Sequence, residues 1–227
     1  MVDYHVHILP GLDDGAASEA EFLAMAREAK KAGTTRLMAT PHFLPGVYAT
    51  SRELVLAGVA AGRKLLQESG VDLELEPGME VYLSPEVPGL ARQGRLLTLG
   101  DRGRWLLVEL PFQEIPLYAE QVLFQLMLQG ITPVLAHPER NREVQEDQDW
   151  LARLVERGCL VQLNAGSLFG EYGRRVKAAA ESLARRGLVH LLGSDAHFSG
   201  SRGLDLAAAR KRLMQLQGAR TTLLDAL

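Results

Sequence analysis

Met1-Val2-Asp3-Tyr4-His5-Val6-His7-Ile8-Leu9-Pro10-Gly11-Leu12-Asp13-Asp14-Gly15 opens the chain. Val2 to Ile8 reads as a strand closed by a Pro-Gly turn. Side chains alternate along a strand, so His5 and His7 face the same way. Two imidazoles on one face, with the carboxylates Asp13 and Asp14 just beyond the turn, have the make-up of a metal site. A short polar strand with two incidental histidines is the competing reading. No Gly-rich dinucleotide fingerprint follows this strand, which counts against an open, doubly wound nucleotide-binding sheet.

Outward from that stretch, short β-rich runs alternate with longer amphipathic ones, the pattern of repeated βα units. Ser18 and Glu21 form a capping-box signature for a helix through Phe22, Met25, Ala26 and Ala29, stopped at Gly33. Thr35 to Thr40 is the second strand. Ser51 opens a helix with Leu54, Val55, Val59, Leu65 and Leu66 as its apolar stripe. Asp72 to Glu76 is the third strand, leading through Pro77-Gly78 into Met79-Glu80-Val81. Ser84 to Arg102 carries turn signals and no sustained period. Arg104 to Leu110, Thr132 to Ala136, Leu160 to Leu163 and Leu188 to Leu192 complete the strands. Helices are expected at Leu117–Gln129, Trp150–Arg157, Glu171–Arg186 and Leu204–Gln217. Seven strands alternating with helices predict an α/β fold, a distorted (β/α)7 TIM-like barrel, in one domain over residues 1–227.

Composition bounds the function. The chain has 227 residues, 47% of them hydrophobic and 23% charged, as in ordinary globular proteins. A net charge of −3 offers no electrostatic support for a nucleic-acid partner. No apolar run reaches the roughly 20 residues that span a bilayer, and no signal-peptide pattern precedes the first strand. The expectation is a protein that is not membrane-inserted and sits in the cytoplasm. The lone Cys159 excludes an internal disulfide and reads as a buried structural thiol, since no arginine-closed phosphate cradle follows it.

Placed on a barrel, the polar residues fall together. His5 and His7 lie at the far end of strand one, His42 after strand two, Glu80 after strand three and Glu109 at the end of strand four. His137 follows strand five, Asn164 strand six, and Asp195 with His197 strand seven. The C-terminal ends of parallel barrel strands share one rim, where active sites are built. Five of the six histidines lie on that rim. Glu109 sits in the apolar run Trp105-Leu106-Leu107-Val108, where a carboxylate is costly to bury unless a metal or arginine compensates it. Asp14 is the expected ligand of the Asp13-Asp14 pair, Asn164 is either a strand-end cap or a site residue, and His190 is structural.

Imidazoles mixed with hard oxygen donors and no thiolate favour Mn²⁺, Fe²⁺, Mg²⁺ or Zn²⁺. The donors exceed one ion's needs, so about two or three ions are implied, with Glu80 as the bridge, an arrangement that activates water and clamps phosphoryl oxygens. Arg140 and Arg202 stand on rim loops beside these donors, and guanidinium forks suit phosphate.

His5-Val6-His7, Thr40-Pro41-His42, Gly78-Met79-Glu80, His137-Pro138-Glu139-Arg140 and Ser194-Asp195-Ala196-His197 together resemble the polymerase and histidinol phosphatase (PHP) superfamily. Pro10-Gly11-Leu12-Asp13-Asp14-Gly15, Glu109 and the arginine after His137 resemble its branch of bacterial metal-dependent protein-tyrosine phosphatases from capsule and exopolysaccharide loci. Asp14 and Glu109 stand where many other superfamily members carry histidine.

The resemblance implies a PHP-type barrel with a trinuclear site, usually described with manganese, Co being a further possibility. His5, His7, Glu80 and Asp195 would hold one ion, Glu80, Glu109 and His137 a second, and Asp14, His42 and His197 a third. Arg140 and Arg202 match its substrate-phosphate arginines. It leads one to expect a longer segment after Gln217 than the stretch to Leu227. The implied activity is hydrolysis of phosphotyrosine on the tail of a tyrosine kinase of polysaccharide synthesis, by a metal-activated hydroxide. The rivals are another phosphoesterase, such as a histidinol-phosphate phosphatase, and a non-catalytic phosphopeptide-binding module.

Overall fold

A computed structural model describes residues 1–201, 204–218 and 223. In chain order the elements are β1 (Val2–Val6), α1 (Glu19–Lys31), β2 (Arg36–Ala39), β3 (His42–Phe43), α2 (Arg52–Glu68) and β4 (Glu74–Pro77). There follow β5 (Glu80–Tyr82), α3 (Val87–Arg92), β6 (Trp105–Glu109), α4 (Ala119–Leu128), β7 (Thr132–Ala136) and α5 (Arg142–Glu146). Last come α6 (Asp149–Glu156), β8 (Leu160–Asn164), α7 (Ala165–Phe169), α8 (Arg174–Arg185), β9 (Leu191–Gly193) and α9 (Leu206–Gln217).

All strand pairs are parallel, in two sheets ordered β1-β2-β4 and β3-β5-β6-β7-β8-β9. The split has a chemical cause. Pro41 lacks an N–H and Pro77 ends β4, so two staves break and resume as β3 and β5. The halves stay joined: Thr40 N–H donates to Val6 O at 3.0 Å and Glu80 N–H to Pro41 O at 3.1 Å. The curl closes where His7 N–H meets Ala196 O at 3.0 Å and Asp195 N–H meets His5 O at 2.8 Å. Seven parallel staves thus form the distorted barrel. His42 and Glu80, expected just past strands two and three, instead sit on short strands of their own and pair in register.

Helices cover the outside. Ser18 Oγ caps α1 by accepting from Glu21 N–H, and the helix buries Phe22, Met25, Ala26 and Ala29. The capping box is only half made, because the Glu21 carboxylate accepts from Ser199 N–H instead. On α2 the buried stripe is Val55, Val59, Gly62 and Leu66, while Leu54 points outward. Gly62 permits the approach: a Cβ there would lie 2.8 Å from Leu75 and 3.0 Å from Phe22. Inside the barrel, Tyr4, Met38, Trp105, Leu107, Val134 and Leu191 belong to one buried apolar cluster. An irregularity in the β1 register between Asp3 and Val6 lets the chain pass from Tyr4 in this cluster to His5 and His7 at the mouth.

Three short helices, α3, α5 and α7, went unread in the sequence because none is long enough to show a period. The seventh strand begins later than Leu188, since His190 Nδ1 accepts the Val161 N–H at 3.2 Å and so displaces a ladder bond. His190 lies apart from the rim cluster. Among the described residues no helix is long and apolar enough to cross a membrane.

Cys159 is 1% exposed and burial pushes its thiol up to about 12. A thiol so placed stays protonated and sealed at neutral pH. Native protein is therefore expected to resist a thiol-specific disulfide reagent that labels it fully in denaturant. Stoichiometric labelling of the native form would refute this placement.

Candidate metal centre

Glu80 is the hub. It is fully buried, with Oε2 3.1 Å from His5 Nε2, 3.2 Å from His7 Nε2 and 3.0 Å from His42 Nδ1. Its Oε1 faces the other way, 2.9 Å from His137 Nε2. Asp195 Oδ1 completes the first group, 3.5 Å from His5 Nε2 and 3.3 Å from His7 Nε2. Asp14 Oδ1 lies 3.8 Å from His42 Nε2 and 3.5 Å from His197 Nε2. Glu109 is 3.8 Å from His42 Nδ1 through Oε2 and 3.9 Å from His137 Nε2 through Oε1.

Three sets of donor atoms each fall within 4.8 Å of one another: His5, His7, Glu80 and Asp195; His7, Asp14, His42 and His197; and His42, Glu80 and Glu109. These sets take in every expected ligand except His137, whose Nε2 instead meets Glu80 Oε1 at 2.9 Å. The grouping differs from the implied one in two places: His7 also reaches the set of Asp14, His42 and His197, and His42, not His137, falls in the set with Glu80 and Glu109. Arg202 lies outside the described residues.

The surroundings fix the donors. His7 Nδ1 meets Asp13 Oδ2 at 2.7 Å and His5 Nδ1 meets Gln162 Oε1 at 3.0 Å. Both partners are acceptors, so each ring keeps a proton on Nδ1, and the lone pair left when Nε2 gives up its own proton points inward. Those two Nε2 atoms are 2.9 Å apart. Two lone pairs so close repel unless a cation sits between them, and ligand edges near 3 Å suit metal–nitrogen bonds of about 2.1 Å. Glu80 Oε2 and His42 Nδ1 are buried without a properly directed hydrogen bond. Orphaned donor atoms aimed at one point, with oriented rings behind them, fit a divalent cation.

Electrostatics agree. Burial presses His5 toward neutrality, yet Glu80 and then Asp195 hold it up at about 9. His7 is likewise driven well up against its burial, chiefly by Asp13. Burial opposes ionisation of Glu80 and Asp195, but the facing imidazoles, His5 foremost, keep both well below the usual carboxylate range. Glu109 is raised to about 6, by burial first and by the Glu80 charge next. A field that draws protons onto imidazoles also draws a metal ion, which displaces them.

Backbone strain marks the same rim. His137 and Asp195 have φ of 30° and 52°, left-handed values that non-glycine residues rarely hold. Asp195 is held in place by two donors: Asn164 Nδ2 donates to Asp195 Oδ2 at 2.6 Å and Arg140 NH1 does so at 2.7 Å. Asn164, open between cap and site, is thus a positioning residue for Asp195. Arg140 is itself held between rings, 4.6 Å from the Phe112 centroid and 4.5 Å from that of Tyr172.

Several site residues escaped the sequence reading. Asp13 is no idle turn carboxylate: besides His7 it accepts from His42 N–H at 2.9 Å and Gly15 N–H at 3.0 Å. Gln162 stands two residues before Asn164 on one strand, so alternation could have placed it on the site face. Glu139 is fully buried and bonds Asn164 N–H at 3.0 Å and Ser167 Oγ at 2.7 Å, tying the His137–Arg140 loop to the end of β8. No sequence period announces such a loop tie. Loss of an orienting partner typically costs about 10- to 100-fold in metal affinity, and Asp13→Ala is expected to do the same. A metal titration followed by calorimetry checks this, and unchanged affinity would show that Asp13 orients nothing.

Residues 1–223 match the family model described as capsular polysaccharide synthesis, CpsB/CapC. The chain belongs to the CpsB/CapC family. Within it, the tyrosine-protein phosphatase YwqE of Bacillus subtilis is 41% identical over 197 residues, spanning 87% of this chain and 77% of YwqE. The tyrosine-protein phosphatase CpsB of Streptococcus pneumoniae is 29% identical over 207 residues, 89% of this chain and 85% of CpsB. A crystal structure from work on YwqE and CpsB, described as unique metal-dependent tyrosine phosphatases, superposes with a TM-score of 0.90 at 39% identity. It covers 95% of this chain and 87% of the solved one. The family expected from the motifs is thereby borne out.

Proposed function

We propose that this CpsB/CapC chain is a metal-dependent protein-tyrosine phosphatase, with the Glu80-centred cluster as its catalytic centre. His5, His7, Glu80 and Asp195 would hold one divalent ion, Glu80, Glu109 and His137 a second, and Asp14, His42 and His197 a third. Manganese is the assigned metal. When bound, such ions activate water for attack on phosphorus and neutralise charge on the phosphoryl oxygens. One observation carries the reading most strongly. The two oxygens of a single buried carboxylate, Glu80, face imidazoles on opposite sides, as a bridging ligand requires.

The chain's own groups do the rest. Asp13 and Gln162 lock the tautomers of His7 and His5, so donor lone pairs are in place before substrate arrives. Arg140 reaches the rim with one fork arm on Asp195, leaving guanidinium N–H groups to donate to phosphoryl oxygens. Arg202 is assigned the same task from the loop after His197. A preorganised guanidinium gains most where charge develops in the transition state. The cavity beside it is open, with a volume of about 530 Å³, and its lining includes Arg140, Glu171, Tyr172, Asp195, His197 and Phe198. Such room suits a side chain presented by a peptide, and we assign the tail of a bacterial tyrosine kinase of polysaccharide synthesis as substrate. A cytoplasmic setting goes with that substrate and with a lone, unpaired cysteine.

Phosphate release from a phosphotyrosine peptide and from histidinol phosphate, with and without chelator, tests the reading. Chelator-sensitive turnover of the peptide at the higher kcat/KM is expected. Preference for histidinol phosphate would move the chain to the other phosphoesterase reading. Peptide binding without turnover under every metal would make it a binding module.

A further inference from the structure

One wall of this cavity takes no part in holding the cluster. Phe198 directly follows His197, is 61% exposed, and lines the cavity with Arg140 and Tyr172. Its ring is thus open to whatever enters the cavity beside Arg140. Its loop is anchored: Ser199 N–H donates to Glu21 on α1, and Gly200 N–H donates to Glu28 at 2.6 Å. The glutamate that the capping box would have used thus holds the residue next to Phe198. Across the cavity, Tyr172 already engages the Arg140 guanidinium. Phe198 has no ring or cation partner of its own among the described residues.

In an aryl phosphate the ring is joined directly to the bridging oxygen. Only side chains next to the phosphate-holding groups can touch it, and Phe198 stands next to His197 in the cavity that Arg140 lines. We propose that Phe198 is a specificity-determining residue: it packs on the phenyl ring of phosphotyrosine and selects aryl over alkyl phosphate esters. The proposal rests on the phosphatase reading above. Aromatic pairs favour offset or edge-to-face contact, which an alkyl phosphate cannot make.

The test uses metal-loaded full-length protein as wild type, Phe198→Ala and Phe198→Tyr. Affinity for phenylphosphonate and methylphosphonate is measured by calorimetry, and KM and kcat with a phosphotyrosine peptide. Phe198→Ala is expected to weaken phenylphosphonate binding about tenfold, the scale of one aromatic contact, while methylphosphonate binding holds. Its KM for the peptide rises by a similar factor with a much smaller change in kcat, and Phe198→Tyr restores both values. Equal weakening of the two phosphonates, or of neither, overturns the proposal. Failure of the wild type to hydrolyse the peptide at any metal loading is a different result, which removes the phosphatase reading and this proposal with it.

Discussion

Glu80→Gln is expected to lower phosphotyrosine turnover by on the order of 10³-fold and to cost the protein bound metal at the same time. The replacement keeps the shape of the side chain and removes its charge. It also turns one donor oxygen into an amide nitrogen that cannot ligate. Because Glu80 touches His5, His7, His42 and His137 at once, no neighbour can take its place. The coupled loss is the diagnostic feature. Turnover that survives with full metal content would remove Glu80 from the centre of the account; turnover lost with metal content intact would make it a chemical group and not a bridge.

The second large effect separates substrate binding from metal binding. Arg140→Lys is expected to cut kcat/KM for the phosphotyrosine peptide by on the order of 10²-fold while leaving metal content unchanged. Lysine keeps the charge but loses the planar fork and its stacking between Phe112 and Tyr172. Asp195 keeps its Asn164 hydrogen bond, so the carboxylate stays in place without the arginine. Steady-state kinetics with elemental analysis of the same sample decides the matter. Loss of metal in step with activity would show that Arg140 serves the cluster and not the substrate.

The rim was legible in sequence because its signals are periodic and punctuated. His5 and His7 share a strand face, and Thr40-Pro41-His42 and Gly78-Met79-Glu80 each announce the end of a strand. At His42 and Glu80 the structure departs from the sequence reading because of proline: Pro41 and Pro77 break the ladders so that both residues begin new strands. What stayed hidden depends on distant partners. The bond from His7 to Asp13, the pairing of His5 with Gln162 and the burial of Glu139 against Ser167 arise only when separate staves meet. Glu21 shows the same limit in reverse, since its local capping-box signal lost to a backbone N–H far along the chain. Local pattern reports which face a side chain takes, and tertiary closure decides what it finds there.

The central claim is that a carboxylate-bridged metal cluster at this rim performs phosphotyrosine hydrolysis. Metal-free protein titrated with Mn²⁺, with bound metal and phosphate release followed on the same samples, tests it most directly. Phosphate release should be absent without metal, rise with occupancy, and level off at about two or three ions per chain. Full turnover by metal-free protein, or a plateau reached with no metal bound, would contradict it.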